Sequence, residues 1–157
     1  MELSNKWTIY FHDYENPDWS HESYERLVVL ETPTDFWTVF EMMKQKLTTG
    51  MFFFMKNKIF PKWDSHVNEG TKYTFMSIKI LKVRVEGFAE HMLVRLLSEK
   101  LHKTNPDCVK GISISPKKHF CIFKVWLSSE DGSQSYEEHD FDIPENCFHG
   151  SIIFKES

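Results

Sequence analysis

Seven short segments rich in β-branched and aromatic residues set the tightest limit on how this chain can fold. They are Trp7 to His12, Arg26 to Glu31, Met51 to Met55, Tyr73 to Ile80, Lys110 to Ser115, Phe120 to Leu127 and Ser151 to Lys155, with turn signals between them. Segments of this length and make-up read as strands. Between the second and third, Thr32 is placed as N-cap, Pro33 at the first helical position and Asp35 at the third. Phe36, Val39, Phe40, Met43 and Leu47 then recur at helical spacing until Gly50, which predicts an amphipathic helix. A second helix is expected after Gly87, with Phe88, Met92, Leu96 and Leu97 as its apolar stripe and Asn105-Pro106-Asp107 as its stop. Hairpin-length connections elsewhere favour antiparallel pairing. The expected architecture is α+β: a curved, mostly antiparallel sheet with helices on its convex face. Ser128 to Glu138, rich in Ser, Glu, Asp and Gly, reads as a loop.

At 157 residues the chain fits one domain over 1–157. Its 41% hydrophobic and 27% charged residues are those of a soluble globular protein. The longest apolar run, Met51 to Met55, is far short of the roughly 20 residues a membrane span needs. The start, Met1 to Lys6, lacks the basic and apolar stretches of a secretory signal. Cys108, Cys121 and Cys147, odd in number and widely spaced, suit reduced thiols in a cytoplasmic protein better than a disulfide framework. A formal charge of −4 means that any nucleic-acid contact must be local.

Much common chemistry is excluded. The six glycines, at 50, 70, 87, 111, 132 and 150, are too dispersed for a phosphate-cradling loop or a dinucleotide fingerprint. Gly-x-Ser-x-Gly, Cys-x-x-Cys and His-Glu-x-x-His are all missing. Glu137-Glu138-His139-Asp140 with Asp142 reads as a solvated charged face rather than a metal site. No cofactor, no metal and no catalytic residue is expected.

What remains is aromatic. Phe, Tyr and Trp make up 15% of the chain, and two of the tryptophans fall in expected loops, in Asn16-Pro17-Asp18-Trp19 and in Phe60-Pro61-Lys62-Trp63-Asp64. A single loop tryptophan more often packs down as a lid. Two, one with a carboxylate directly after it, support a different arrangement. Facing indoles form a slot for a flat ring, and the acid accepts hydrogen bonds from the ring edge, as guanine N1 and N2 would offer.

Asn5-Lys6-Trp7, Trp19, Asp35-Phe36-Trp37, Pro61-Lys62-Trp63-Asp64 and Trp126 together resemble the pattern of the translation initiation factor 4E family, which binds the 7-methylguanosine cap of messenger RNA. The resemblance runs from Asn5 to Leu127; the last thirty residues match poorly and look shortened. It implies a cap slot on the concave face of the sheet. Trp19 and Trp63 would stack on the base, with a cation–π gain of about 0.5–2 kcal/mol from the N7-methyl charge. Asp64 would take the guanine edge, one methylene shorter than the Glu usual in the family. Trp126 would touch the methyl group, with a core role as its alternative. Lys117, and more weakly Lys118, would meet cap phosphate, while Ile122 falls where the family has a second basic residue.

The same resemblance implies a dorsal docking surface for a 4G-type scaffold protein or a 4E-binding regulator, seated on Trp37. Pro33, Glu90 and His91 occupy the other positions of that seat and make it partly charged. The function implied is non-enzymatic cap binding by a cytoplasmic monomer, in translation initiation or its regulation. Two alternatives stay open: a cap-competing repressor, and an interaction module that keeps the fold without the cap.

Overall fold

The computed structural model describes residues 1–62, 72–129, 136–145 and 150–156. Seven strands form one antiparallel sheet in the order β2-β1-β3-β5-β6-β4-β7. The strands are β1 (Trp7–His12), β2 (Glu25–Leu30), β3 (Met51–Lys56), β4 (Tyr73–Leu81), β5 (Val109–Pro116), β6 (Phe120–Ser128) and β7 (Ile153–Glu156). Each lies within two residues of its expected bounds. Two helices, α1 (Pro33–Met43) and α2 (Val85–Leu97), cover the convex face.

The α1 start is a full capping box. Thr32 Oγ1 accepts from the Asp35 N–H at 3.1 Å, and Asp35 Oδ2 accepts from the Thr32 N–H at 3.0 Å and the Glu31 N–H at 2.9 Å. The α-helix ends at Met43, and Lys44–Thr48 continues as a 3-10 turn that still buries Leu47. The second helix differs from expectation at both ends. It begins at Val85, so Gly87 lies within its first turn, and it ends at Leu97, well before Asn105. The stop is Glu99, which takes the left-handed conformation at φ 59°. Its carboxylate accepts both bonds from Asn5 Nδ2 at 2.9 Å and faces Lys56 Nζ at 3.2 Å, which offsets the strain of that backbone.

Strand side chains alternate between the two faces, and this alternation divides the hydrophobic residues into two clusters. On the convex side, Trp7, Ile9, Phe52, Phe54, Ile112, Ile114, Phe123 and Val125 meet Phe36 and Phe40 of α1 and the stripe from Val85 to Leu97 of α2. Full burial of one such side chain is worth about 1.5–3 kcal/mol, so this layer carries most of the stability. On the concave side, Tyr10, Phe53, Met55, Tyr73, Phe75 and Trp126 form a smaller aromatic cluster without a helix over it.

Gly111 makes that second cluster fit. It pairs with Met55 on one side and Trp126 on the other. A Cβ here would stand 2.6 Å from Met55 Sδ and 2.7 Å from the Phe54 carbonyl oxygen, which is backbone and cannot swing away. Gly111→Ala is therefore expected to cost about 1–3 kcal/mol by overpacking. Urea denaturation followed by far-UV circular dichroism checks this; an unchanged midpoint would contradict the close approach.

Candidate nucleic-acid interface

A cavity of about 540 Å³ opens on the concave face. Trp19, Tyr14, Tyr24, Met51 and Phe53 give it aromatic and apolar walls, and Lys62, Lys117 and Lys124 bring three cations to it.

Trp19 stands on the loop between β1 and β2. The loop is shaped by its own side chains: Asp13 Oδ1 accepts from Glu15 N–H at 3.0 Å, Asn16 Oδ1 from Asp18 N–H at 3.0 Å, and Asp18 Oδ1 from Ser20 N–H at 2.9 Å. Such Asx turns replace the ladder bonds a strand would supply. The Ser20 bonds also hold the Asp18 carboxyl below the usual carboxylate range. Beneath the loop lies His12, fully buried at the end of β1. Its Nδ1 lies 2.9 Å from the Asp13 carbonyl oxygen and its Nε2 lies 2.7 Å from that of Asp18. Nε2 also lies 3.1 Å from the Ser23 hydroxyl oxygen, so both ring nitrogens are engaged by the loop. The ring lies parallel to the Trp19 indole, 3.7 Å away at an interplanar angle of 2°. His12 thus covers one indole face and leaves the other for the cavity, and Trp19 is 43% exposed.

Tyr24 crosses the edge of both rings, at 6.1 Å from Trp19 and 5.0 Å from His12. Burial pushes its phenol up to about 12, so it is neutral at physiological pH. Phe60 packs against Tyr10 and Tyr24, each at 5.2 Å, and stacks on His21 at 3.9 Å. These contacts bind the chain after β3 to the concave face.

The expected site residues divide. Trp19 and Lys117 both line the cavity. Trp63 and Asp64 lie outside the described residues, but Lys62, directly before them, is on the cavity wall. Lys118 is exposed in the β5–β6 turn closed by the Lys117 N–H to Phe120 carbonyl bond at 2.8 Å, and it does not line the cavity. Trp126 is buried on the concave side of β6. It is 1% exposed, edge-on to Tyr73 at 5.2 Å and Phe75 at 5.0 Å, and its indole N–H donates to Ser113 Oγ at 3.2 Å. Its place is under the floor rather than on the wall.

Sequence reasoning missed His12, Tyr24, Phe53 and Lys124. The available signal was strand parity: Tyr10 and His12 share a face, as do Lys124 and Trp126. Which of the two faces the helices would cover was not written in any one strand.

On the dorsal side Trp37 is 46% exposed, edge-on to Phe36 and Phe40 at 4.9 and 6.4 Å. Glu90 is exposed, and His91 Nε2 donates to the Asp142 carbonyl at 3.0 Å. The acidic segment is structural here. Asp142 Oδ2 accepts from Arg95 Nε at 2.6 Å, which lowers the Asp142 pKa, and Glu137 with Asp140 forms a capping box. Because that pKa is depressed, the tie holds above the ordinary carboxylate range and weakens as pH falls through the lower folded value. Among the described residues no group of three ligands could hold a metal, and no helix is long and apolar enough to cross a membrane.

A helix-backed antiparallel sheet whose open face holds an aromatic cavity with a cationic rim suits a flat ring that carries negative charge. The sequence matches the family model of eukaryotic initiation factor 4E over residues 2–143, and the chain belongs to that family of cap-binding translation factors. The match reaches beyond Leu127, where the resemblance in the sequence ends. Among solved structures, Caenorhabditis elegans eIF4E-3, in complex with the 4E-binding protein Mextli and a cap analog, superposes with a TM-score of 0.71 at 13% identity, covering 83% of this chain and 75% of that one. Ascaris suum eIF4E-3 with the m7G cap gives 0.69 at 14% identity, over 83% and 74%. Schistosome eIF4E with m7GpppG and 4E-BP gives 0.69 at 21%, over 83% and 73%. At such identities the likeness describes the fold. No curated protein shows a matching sequence.

Support of Trp19 by His12 makes a direct prediction. His12→Ala is expected to cost about 2–4 kcal/mol, through the cavity it leaves and the bonds it removes. His12→Phe keeps a stacking ring and should cost clearly less. Guanidinium unfolding followed by tryptophan emission separates them; equal losses would show that stacking is not what holds the loop.

Proposed function

We propose that this chain binds the 7-methylguanosine 5′ cap of messenger RNA and acts, without enzymatic turnover, in translation initiation or its regulation in the cytoplasm. The observation that carries the reading is Trp19: an indole braced on one face by His12 and facing a cavity with lysines at its rim. In this reading Trp63 closes over the opposite side of the base and Asp64 accepts from guanine N1 and N2. Lys117 meets phosphate. Trp126 supports the floor through Tyr73 and Phe75, so the N7-methyl group is sensed through the stacking pair. Family membership and the cap complexes of the structural relatives support the same ligand class.

The dorsal surface, with Trp37 and Met42 exposed, is the seat for a 4E-binding partner, as the complexes of the Caenorhabditis and schistosome proteins suggest. Glu90 and the engaged His91 weaken its apolar character. This favours a regulatory chain over a strong scaffold recruiter.

Titration with 7-methyl-GTP is expected to quench tryptophan emission with a Kd in the micromolar range, about 8 kcal/mol, and GTP should bind far more weakly. Trp19→Ala and Trp63→Ala should each lose about 1–3 kcal/mol. Equal behaviour of the two nucleotides would overturn the cap reading and favour the interaction module. A helical peptide carrying a 4E-binding motif should bind the natural chain and lose affinity for Trp37→Ala; an unaltered affinity would move the partner site elsewhere.

A further inference from the structure

Lys124 is the least accommodated cation among the described residues of the concave face. It sits on β6 between Ile122 and Trp126 and shares their face. Its neighbours across the sheet are Ser113 on β5 and Ser77 on β4, short side chains that leave its stem room and carry no charge to pair with its ammonium. The strand register carries this row on to Phe53, a wall of the cavity, and Lys124 itself lines that cavity. Its Nζ stands 5.7 Å from the centroid of Phe75. Burial pushes its pKa down, and Lys117 and Lys155 push it further the same way, with no carboxylate among the described residues raising it. Lys44 shows the opposite case: there the Glu41 carboxylate pairs at 2.7 Å and raises the pKa. A half-buried ammonium beside two others is costly for the free protein, and a bound anion would remove that cost.

We infer that Lys124 is a phosphate-binding residue of the cavity, acting with Lys117 on the phosphate chain of a capped RNA, and that Lys155 on β7 extends the positive lane towards the sheet edge for the following phosphodiester. This rests on the cap reading for the base, but not for the anion. It also accounts for Ile122, the apolar residue where the resemblance led to a second basic one: the charge has moved two residues along the same face. A phosphate chain fits better than an acidic peptide, because the three cations follow a line from an aromatic cavity, where a base would lie, to the edge of the sheet.

Lys124→Met tests it, keeping the stem against Phe75 and removing only the charge. The expected results are an unchanged or higher melting temperature, about tenfold weaker binding of 7-methyl-GTP, and a smaller loss for the 7-methylguanosine nucleoside. The salt dependence of 7-methyl-GTP binding should flatten by about one ion. Lys46→Met, exposed in the 3-10 turn that follows α1, should change neither. Lys155→Met should affect a capped RNA of several nucleotides more than 7-methyl-GTP. Inorganic triphosphate, titrated by calorimetry, gives an arm free of the base: it should bind the natural chain and weaken with Lys124→Met. If 7-methylguanosine and 7-methyl-GTP fail with the natural chain while triphosphate behaves as expected, the cap reading falls and this inference stands. If 7-methyl-GTP binds both chains equally and with the same salt slope, or Lys124→Met loses melting temperature, Lys124 has a structural role and the inference is overturned.

Discussion

The period-two alternation of side chains in an antiparallel sheet is the constraint on which everything else here depends. Because α1 and α2 seal one face, every strand sends one parity into the main core and the other into the open concave face. A one-residue slip in β1 would exchange Ile9 for Tyr10 and lift His12 out from under Trp19. The unbroken pairing of β1 with β3, from Trp7 opposite Lys56 to His12 opposite Met51, excludes that slip. The site is thus held by the same packing that stabilises the fold.

Concave-face residues do two kinds of work. Tyr73, Phe75 and Trp126 are locked together beneath the open face, with Gly111 allowing the approach of Met55. Above them the loop after β1 carries Trp19 on a histidine whose two nitrogens are both engaged by loop carbonyls. A loop alone would hold an exposed indole poorly. Here the loop and the stacking plate share one buried support, so Trp19 is oriented before a ligand arrives, and less ordering cost remains for binding.

Much of this was legible in the amino-acid sequence. The strands were marked by β-branched and aromatic runs, and the first helix by its Thr32-Pro33-Thr34-Asp35 start. The end of α2 was not, because Glu99 in a left-handed conformation is held by Asn5 and Lys56, partners remote in the chain. The helix start was also misplaced, since Gly87 breaks a pattern without breaking a helix that buries Val85. At the site, Trp19 and Lys117 carried sequence signals of their own. His12 and Lys124 did not, for a histidine at a strand end and a lysine within a strand acquire meaning only from what the sheet places beside them. For Trp126 the resemblance implied a ligand contact and its strand a core role, and the contacts of its indole with Ser113, Tyr73 and Phe75 come from neighbouring strands that its own segment does not reveal.

The central claim is that the free face of Trp19 stacks on a methylated guanine. Proton NMR of 7-methyl-GTP during titration with the natural chain tests it most directly, through the N7-methyl and H8 resonances. Stacking predicts a marked upfield ring-current shift of both, reduced in Trp19→Ala and in Trp63→Ala. Bound ligand with unshifted resonances, or shifts that survive the loss of Trp19, would contradict the account.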